Sequence, residues 1–417
     1  MRRMSGWEAV CVLLAVLGLL TVPLLGTRSA VAQLREPILV GEIVSASGAF
    51  AVHHHGQHGA ALAVEEINAK GGVLGRPLQL ITRDDKSSGE EGVKAFRELA
   101  GMGVVAIVGH SFGATVVASS PLARDLRIPY LVNMGYTAEI TEKDGHPYIF
   151  RTFTNERVFT RAFAEMIAKL PARRYCTIAV DFVYGRSGTA QILGGLRALR
   201  KDVEVLPGCQ YWAPVGQLDF TPYITAILGQ KPDALLFAGM VALPGEAFVK
   251  QAKAFRLFEQ IQGLHPTLAM PGNSGGLRRE DIPEGILTGS DLPYPPPRPE
   301  LRAFVEAYRR RWNHLPTEAA VHAYASVYLL KAGLEKAKRV DREALAKALV
   351  GMTYLHPSHG WVRLRPFDNQ STAGWWFGRL TWDPTYGRAG LADPRYVEGE
   401  KYLLGEEQIK RLRALGR

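Results

Sequence analysis

Hydrophobic runs of strand length alternate with stretches of helical periodicity in the first third of the chain. Seven elements, strands and helices in turn, are predicted in this series: Ile38–Val44, Ala60–Asn68, Leu78–Thr82, Gly92–Ala100, Val104–Val108, Ala114–Leu126 and Ile128–Val132. In the first helix, Ala60, Ala63, Val64 and Ile67 recur at helical spacing and so form one apolar face. Strands that alternate with helices predict a parallel sheet covered by helices on both faces.

A second series of the same kind follows Phe153. Its predicted elements are helix Glu156–Leu170, strand Thr177–Asp181, helix Gln191–Arg200, strands Val203–Leu206 and Ala234–Phe237, helix Ala247–Phe255 and strand Thr267–Met270. A proline-rich stretch, residues 293–299, then leads into two long predicted helices, Glu300–Arg311 and Glu318–Lys336, which return the chain to the first series. Since 417 residues also exceed what one core usually serves, we predict an α/β fold with two doubly wound parallel-sheet lobes.

The first 32 residues have the pattern of a secretory signal peptide. Two arginines precede an apolar run, residues 9–25, and Ala30 and Ala32 give the small-x-small pattern of a cleavage site. A membrane anchor is the alternative, but Pro23 and several small residues interrupt the run. We therefore expect an exported mature protein that begins near Gln33 and lies in the periplasm or outside the cell.

The chain is basic, and its formal net charge is +10; removal of residues 1–32, with three arginines and one glutamate, lowers the charge to +8. The basic clusters are short and far apart in sequence, and an exported chain does not meet the nucleoid. Nucleic acid is therefore not an expected partner.

Two cysteines, Cys176 and Cys209, remain after cleavage, in a compartment where disulfides form. They either pair or stay as two buried thiols, because the sequence does not fix the distance between their Cα atoms.

The segment from Gly109 to Gly113 matches the G-x-S-x-G pattern of serine hydrolases, between a predicted strand and a predicted helix. A hydrolase would use Ser111 as nucleophile and needs a histidine base oriented by a carboxylate, for which Asp291 with His322 are candidates. No H-G-G-G-like segment that could supply oxyanion donors precedes the motif. We therefore favour a turn that binds a ligand, and we do not expect an enzyme.

Histidines recur from His53 to His58, and aromatic residues follow predicted strands. Adjacent histidines in a loop rarely all face one ion, so a solvated or cleft-lining loop is favoured over a metal site, and His53 is a candidate ligand contact. We expect no metal and no cofactor. Tyr184 would present an aromatic face at a strand end, whereas Trp361 and the pair Trp375-Trp376 are expected to pack in the core or the hinge.

The segment from Leu62 to Leu78, with the run Glu-Glu-Ile-Asn-Ala-Lys-Gly-Gly-Val-Leu-Gly-Arg-Pro, resembles the signature of the branched-chain amino acid and amide class of type I periplasmic solute-binding proteins. Further similar segments are Asp84-Asp85, Ala106 to Gly109, Phe150-Arg151-Thr152, Asp181 with Tyr184-Gly185, Lys231-Pro232-Asp233, His322-Ala323-Tyr324 and Asp368-Asn369-Gln370. The resemblance extends from about Pro37 to Gly378.

This resemblance implies two lobes, joined by three hinge crossings, that close on a ligand without chemistry. The implied boundaries are 33–153 plus 288–375 for the N-terminal lobe and 154–287 plus 376–417 for the C-terminal lobe with its tail. Helix starts and loop amides at strand ends would hold the ligand. The residues expected to contact it are His53, Ser111, Phe112, Gly113, Thr115, Gly135, Tyr136, Thr137, Tyr184, Met240 and Asn273.

The sequence departs from the family pattern at Pro271-Gly272-Asn273. Amino-acid binders of this class usually place an acidic side chain in that loop, and a buried ammonium without a carboxylate costs several kcal/mol. Met240 also stands where an aromatic residue is common. The expected ligand is therefore neutral or anionic and partly apolar, such as an amide, an aromatic acid or a short carboxylate.

These expectations together describe an extracytoplasmic protein that binds a small molecule and passes it to the permease subunits of an ABC transporter. We expect it to act as a monomer. An exported ligand sensor of the same fold, or a serine hydrolase that uses Ser111, is the alternative.

Overall fold

A computed structural model of the protein describes residues 36–48, 51, 55–109 and 113–415. The predicted signal peptide therefore lies outside the described residues. Five strands form the first sheet, in the order β2-β1-β3-β4-β5 and with every neighbouring pair parallel. The bounds are β1 (Ile38–Val44), β2 (Leu78–Asp84), β3 (Ile107–Gly109), β4 (Tyr130–Val132) and β5 (Ile149–Arg151).

Helices cover both faces of the first sheet. Those of the first series are α1 (Gly56–Ala69), α2 (Gly89–Gly101) and α3 (Gly113–Asp125). Of the predicted apolar face of α1, Ala60, Ala63 and Ile67 are buried in one core cluster, and Val64 is partly buried against the same cluster. Phe96 of α2 and Val116 of α3 are buried in a second cluster on the opposite face of the sheet. A 3₁₀ turn, Ala138–Ile140, follows β4.

Seven strands form the second sheet, in the order β14-β13-β10-β9-β8-β6-β7. The bounds up to the end of its parallel part are α4 (Glu156–Ile167), β6 (Arg174–Val180), α5 (Val183–Leu199), β7 (Glu204–Ala213), α6 (Thr221–Gln230), β8 (Ala234–Gly239), α7 (Ala242–Ala254), α8 (Leu257–Gln260), β9 (Gln262–His265), α9 (Pro271–Ser274), a 3₁₀ turn (Arg279–Asp281) and β10 (Leu287–Ser290). The strand predicted at Thr267–Met270 is wrong. Pro266 follows the true strand β9, and the apolar residues after it form a turn that is buried without pairing.

The chain then returns to the first lobe, adds its last two strands to the second sheet and ends in a helix whose Arg413 donates to the Thr141 and Glu142 carbonyls of the first lobe. The remaining elements are α10 (Pro299–Trp312), α11 (Glu318–Ala337), α12 (Arg342–Leu349), β11 (Thr353–His356), β12 (Gly360–Arg363), β13 (Trp375–Asp383), β14 (Arg388–Val397), a 3₁₀ turn (Glu400–Tyr402) and α13 (Glu406–Leu415). Helix α11 packs on α1 so closely that a Cβ on Gly59 would lie 2.0 Å from the Ala320 carbonyl oxygen. Strands β13 and β14 are antiparallel additions to the second sheet.

The chain passes between the two sheets three times, after β5, after β10 and before β13. Gln370 connects the first and third crossings, because its side-chain amide donates to the Phe153 carbonyl at 2.8 Å and its oxygen accepts from the Thr141 hydroxyl at 2.9 Å. Residues 288–290 pair within the second sheet as part of β10, and Trp375 begins β13 there. The predicted α/β fold of two doubly wound lobes with three crossings is confirmed.

Two further expectations are decided by the structure. Cys176 on β6 and Cys209 on the neighbouring strand β7 form a disulfide, with Cα atoms 4.9 Å apart. Trp375 and Trp376 are buried in β13, as predicted, but the prediction for Trp361 is wrong because its side chain is 72% exposed on β12. In the β11–β12 hairpin, Tyr354 and Val362 pair with each other and face the core, whereas Trp361 faces solvent.

Candidate ligand-binding site

The start of α3 and the loop after β4 approach each other at small residues. A Cβ on Gly113, the first residue of α3, would lie 2.6 Å from the Thr137 hydroxyl oxygen, so this approach requires glycine. Gly135 has a φ of +97°, a left-handed conformation that favours glycine. The structure therefore brings Gly113, Gly135 and Thr137 together. His53, Ser111 and Phe112 lie outside the described residues.

Thr115 lies in the first turn of α3 with its side chain fully buried. Its hydroxyl oxygen has no hydrogen-bond partner within the described part of the chain. A buried hydroxyl without a partner costs about 1–3 kcal/mol, and a ligand oxygen or nitrogen could remove that cost. The amide groups of the same helix start favour a negatively charged ligand group.

Arg151, at the end of β5, fixes the shape of the loop after β4. Its guanidinium donates to the Gly135 carbonyl at 2.8 Å and to the Thr137 carbonyl. Burial lowers the pKa of Arg151 to about 10, so the side chain stays charged at neutral pH. The Gly135 carbonyl thus already accepts one hydrogen bond and can offer a ligand only its second lone pair.

Tyr136 extends from the same loop towards the second lobe. Its hydroxyl donates to Asp291 Oδ2 at 2.5 Å, directly after β10. Its ring packs edge-on against Phe159 of α4 and Trp375 of β13, with centroids 5.6 and 6.0 Å away. Burial and the nearby charge of Asp291 raise the pKa of Tyr136 well above its ordinary value, so the phenol remains a donor.

Tyr184 comes from the second lobe and contacts Phe159, which Tyr136 also contacts. Its ring packs edge-on against Phe159 at 6.3 Å between centroids. It lies in the first turn of α5 and not in a loop, because Gly185 allows the helix to begin directly after β6: a Cβ there would be 2.0 Å from the Val180 carbonyl oxygen. Tyr136 and Tyr184 therefore approach one side chain from opposite lobes.

Glu318, at the start of α11, supplies the acidic group that the loop after β9 lacks. Its carboxylate accepts from the Gly272 amide at 3.1 Å, and the side chain is fully buried. Burial, and after it the charge of Asp291, raises the pKa of Glu318 to about 7. Sequence reasoning missed this residue because it lies 46 positions from Gly272 along the chain.

Comparison with known proteins decides the family. Residues 37–385 match the family described as periplasmic binding protein. The chain belongs to this family. That match covers the first sheet, the second sheet except β14, and all three crossings.

Curated relatives of this periplasmic binding protein include the Leu/Ile/Val-binding protein BraC3 of Rhizobium johnstonii, which is 27% identical over 349 residues, 79% of this chain and 88% of the relative. The leucine-, isoleucine-, valine-, threonine- and alanine-binding protein of Pseudomonas aeruginosa is 25% identical over 303 residues, 72% of this chain and 78% of the relative.

Solved structures share the fold. An ABC transporter substrate-binding protein from Sphaerobacter thermophilus superposes with a TM-score of 0.77 at 21% identity, covering 87% of this chain and 98% of that one. A solute-binding protein of Rhodopseudomonas palustris in complex with 3,4-dihydroxybenzoic acid has a TM-score of 0.74 at 21% identity, with 87% and 98% covered. At this identity the likeness shows the fold alone.

Two predicted contacts of the periplasmic binding protein are engaged elsewhere. The Met240 side chain is buried in the core of the second lobe. The Asn273 amide donates to the Thr267 carbonyl at 2.9 Å, and its oxygen accepts from the Ala242 amide at 3.1 Å. Asn273 therefore holds the loops after β8 and β9 together.

The hydrolase candidates are arranged differently from a catalytic triad. His322 Nε2 lies 2.8 Å from Asp291 Oδ2, but Nδ1, which would face the nucleophile, lies 3.0 Å from His356 Nε2. The histidine segment from His53 to His58 is described in part. The His55 ring packs on the His314 ring with centroids 4.3 Å apart, and the His58 ring stacks on the Trp312 ring with centroids 4.1 Å apart.

Proposed function

We propose that this periplasmic binding protein captures a small ligand between its lobes and delivers it to an ABC transporter. The observation that carries the proposal is the approach of Tyr136 and Tyr184 to Phe159 from opposite lobes, at the carboxyl ends of the strands. Ligands of open α/β sheets bind at such strand ends. The names of the curated relatives, which bind branched-chain amino acids, support this assignment.

The ligand that the site fits best is an amino acid or amide with an apolar side chain. The Thr115 hydroxyl and the start of α3 suit a carboxylate or amide oxygen. The carboxylates of Glu318 and Asp291 suit an ammonium or amide nitrogen, since a buried cationic group needs such a partner. The rings of Tyr136 and Tyr184 suit the apolar part. The sequence favoured a ligand without an ammonium because the loop after β9 has no acidic side chain. The Glu318 carboxylate lies against this loop, so that argument no longer holds.

The proposal also includes export of the protein and its action beside a transporter. Within the described ranges, no helix combines the length and the apolar character that crossing a bilayer requires. We propose that residues 1–32 are removed on export and that the mature protein acts as a monomer beside a permease. It binds its ligand without turnover. A sensor of the same fold would bind equally well, and ligand uptake in transporter vesicles distinguishes the two.

A thermal-shift screen of the mature protein from Gln33 tests the ligand assignment. The panel contains apolar amino acids, amides, benzoates and short carboxylates. A ligand at a hundredfold excess over its Kd adds about 2.7 kcal/mol to the free energy of unfolding. We expect apolar amino acids or their amides to give the largest shift. A larger shift with a benzoate refutes the ligand assignment, and no shift with any compound refutes the binding function.

Glu318→Gln tests the role of the buried acid. Because a charge-assisted hydrogen bond contributes about 1.5–3 kcal/mol, we expect the Kd of the amino acid to rise about tenfold to a hundredfold. Glu204→Gln, an exposed glutamate on β7, is the matched control and should leave the Kd unchanged. Calorimetric titration measures both variants. An unchanged Kd in Glu318→Gln shows that the ammonium partner lies elsewhere.

A further inference from the structure

Three buried histidines converge between the lobes, next to the second crossing. His322 comes from α11, His356 ends β11, and His359 lies in the turn before β12. One ring nitrogen from each lies within 4.8 Å of the other two, and all three side chains are at most 2% exposed. Neither the ligand site nor the family assignment explains this cluster.

Asp291 orients the first histidine. Its Oδ2 lies 2.8 Å from His322 Nε2, and since a carboxylate only accepts, Nε2 carries the proton. With one proton, on Nε2, the ring keeps a lone pair on Nδ1, which points at His356 Nε2, 3.0 Å away. A carboxylate behind a histidine is the arrangement that holds metal-ligating imidazoles in place.

His359 is the member of the cluster that the protein leaves unsatisfied. Both of its ring nitrogens are buried without a hydrogen-bond partner among the residues that the structure describes, and so is Asp291 Oδ1. Its ring stacks parallel to that of His322, 6.1 Å away, and lies 4.5 Å from that of His356.

We propose that His322, His356 and His359 bind a divalent transition-metal ion of the zinc type. Three imidazole nitrogens are a common zinc ligand set, and imidazole suits zinc, copper and nickel better than calcium or magnesium. Asp291 Oδ1 is the candidate for a fourth ligand. An ion on these nitrogens removes the cost of the unsatisfied His359 ring.

Binding requires one proton to move. The Ser358 amide donates to His356 Nδ1 at 3.2 Å, so the proton of this neutral ring is on Nε2, towards His322. When the ion takes Nε2, this proton moves to Nδ1 and the long contact with Ser358 is given up. The proton stays on the ring, so the change is confined to the β11–β12 turn.

The site connects the parts of the hinge. The Ser358 hydroxyl donates to the Asp291 carbonyl, and the Trp376 indole of the second sheet donates to the Ser358 carbonyl at 3.0 Å. An ion at the histidines would therefore tie α11 and the β11–β12 hairpin to the second crossing. This role is structural, and the metal site shares Asp291 with the proposed ligand site.

Metal counting on the chelator-treated mature protein tests the proposal. After dialysis against micromolar zinc, we expect the wild type to retain one equivalent that His359→Leu lacks, with an affinity at least about a hundredfold weaker in the variant. His146→Gln, a partly buried histidine bonded to Ser120, and His314→Gln, at the other histidine group, should both retain it. If His314→Gln loses the zinc equivalent and His359→Leu retains it, the proposal is refuted.

If a variant does not fold, measurements on the wild type alone still test the proposal. Zinc, but not magnesium, should raise its melting temperature by a few degrees. Cobalt should give the visible absorption of a four-coordinate site. A wild type that retains no zinc and shows neither effect refutes the proposal, and the cluster then binds at most a water molecule. These readouts do not depend on the transported ligand.

Discussion

Glu42 is a carboxyl group that the fold keeps away from water. Its side chain lies fully buried on β1, and one oxygen accepts from the Thr82 hydroxyl at 2.7 Å. The other oxygen has no hydrogen-bond partner within the described residues. Burial raises the pKa of Glu42 to about 7, against the opposing effect of Thr82. The folded protein therefore holds a proton that the unfolded chain releases at a lower pH.

We predict that Glu42→Gln flattens part of the pH dependence of stability. A carboxyl whose pKa is raised on folding stabilises the protein below its unfolded pKa, near 4.5, and this contribution is lost as the pH rises through about 7. The loss amounts to about 3 kcal/mol. Urea unfolding between pH 4.5 and 8 measures the difference between wild type and variant.

That difference isolates Glu42 from other groups. Burial lowers the pKa values of His146 and His265 to about 4, and they contribute a slope of opposite sign, the same in both proteins. Glu204→Gln, which is exposed, should keep the wild-type slope. An identical slope in Glu42→Gln would show that the buried carboxyl titrates as in the unfolded chain.

At the scale of elements, the disulfide joins two neighbouring parallel strands. Cys176 and Cys209 are 33 residues apart and both fully buried. Closing a loop of this length stabilises a protein by about 3–4 kcal/mol in the chain-entropy account. We predict that the double variant Cys176→Ala, Cys209→Ala loses stability of this order in urea unfolding. The reduced wild type should lose a similar amount, and a thiol assay on the folded wild type should find no free cysteine in the mature chain.

Periodicity predicted the elements whose residues face one core. The apolar face of α1 follows from spacing alone, and so do the βα order and the parallel sheets. The strand predicted at Thr267–Met270 failed because a buried turn and a buried strand have the same composition. The exposure of Trp361 could not be predicted either, since the two faces of the β11–β12 hairpin depend on what packs against them.

The candidate site also contains residues that the sequence could suggest and one, Glu318, that it could not. Gly113, Gly135, Tyr136 and Tyr184 come within a few residues of strand ends, where the strand-end rule and the family resemblance together placed candidate contacts. Glu318 reaches the site from a helix start that the chain enters only after a crossing. Such long-range contacts have no local signal.

For the whole molecule, Tyr136 connects the lobes. Its ring contacts Phe159 and Trp375 of the second lobe, and its hydroxyl donates to Asp291 after β10. A contact between lobes favours the closed arrangement by its own free energy, and a ligand that binds this arrangement gains the same amount. The hydrogen bond to an ionised carboxylate is worth about 1.5–3 kcal/mol.

We therefore predict that Tyr136→Phe, which keeps the ring and removes the hydroxyl, weakens ligand binding about tenfold to a hundredfold, mainly through faster dissociation. Tyr148→Phe is the matched control, since its hydroxyl also donates to a carboxylate, Glu343 at 2.7 Å, but within the first lobe. Stopped-flow kinetics measure both rates, and small-angle scattering at partial saturation should show a larger radius of gyration for Tyr136→Phe. Equal dissociation rates in the two variants would mean that the link from Tyr136 to Asp291 belongs to both the open and the closed arrangement and does not favour closure.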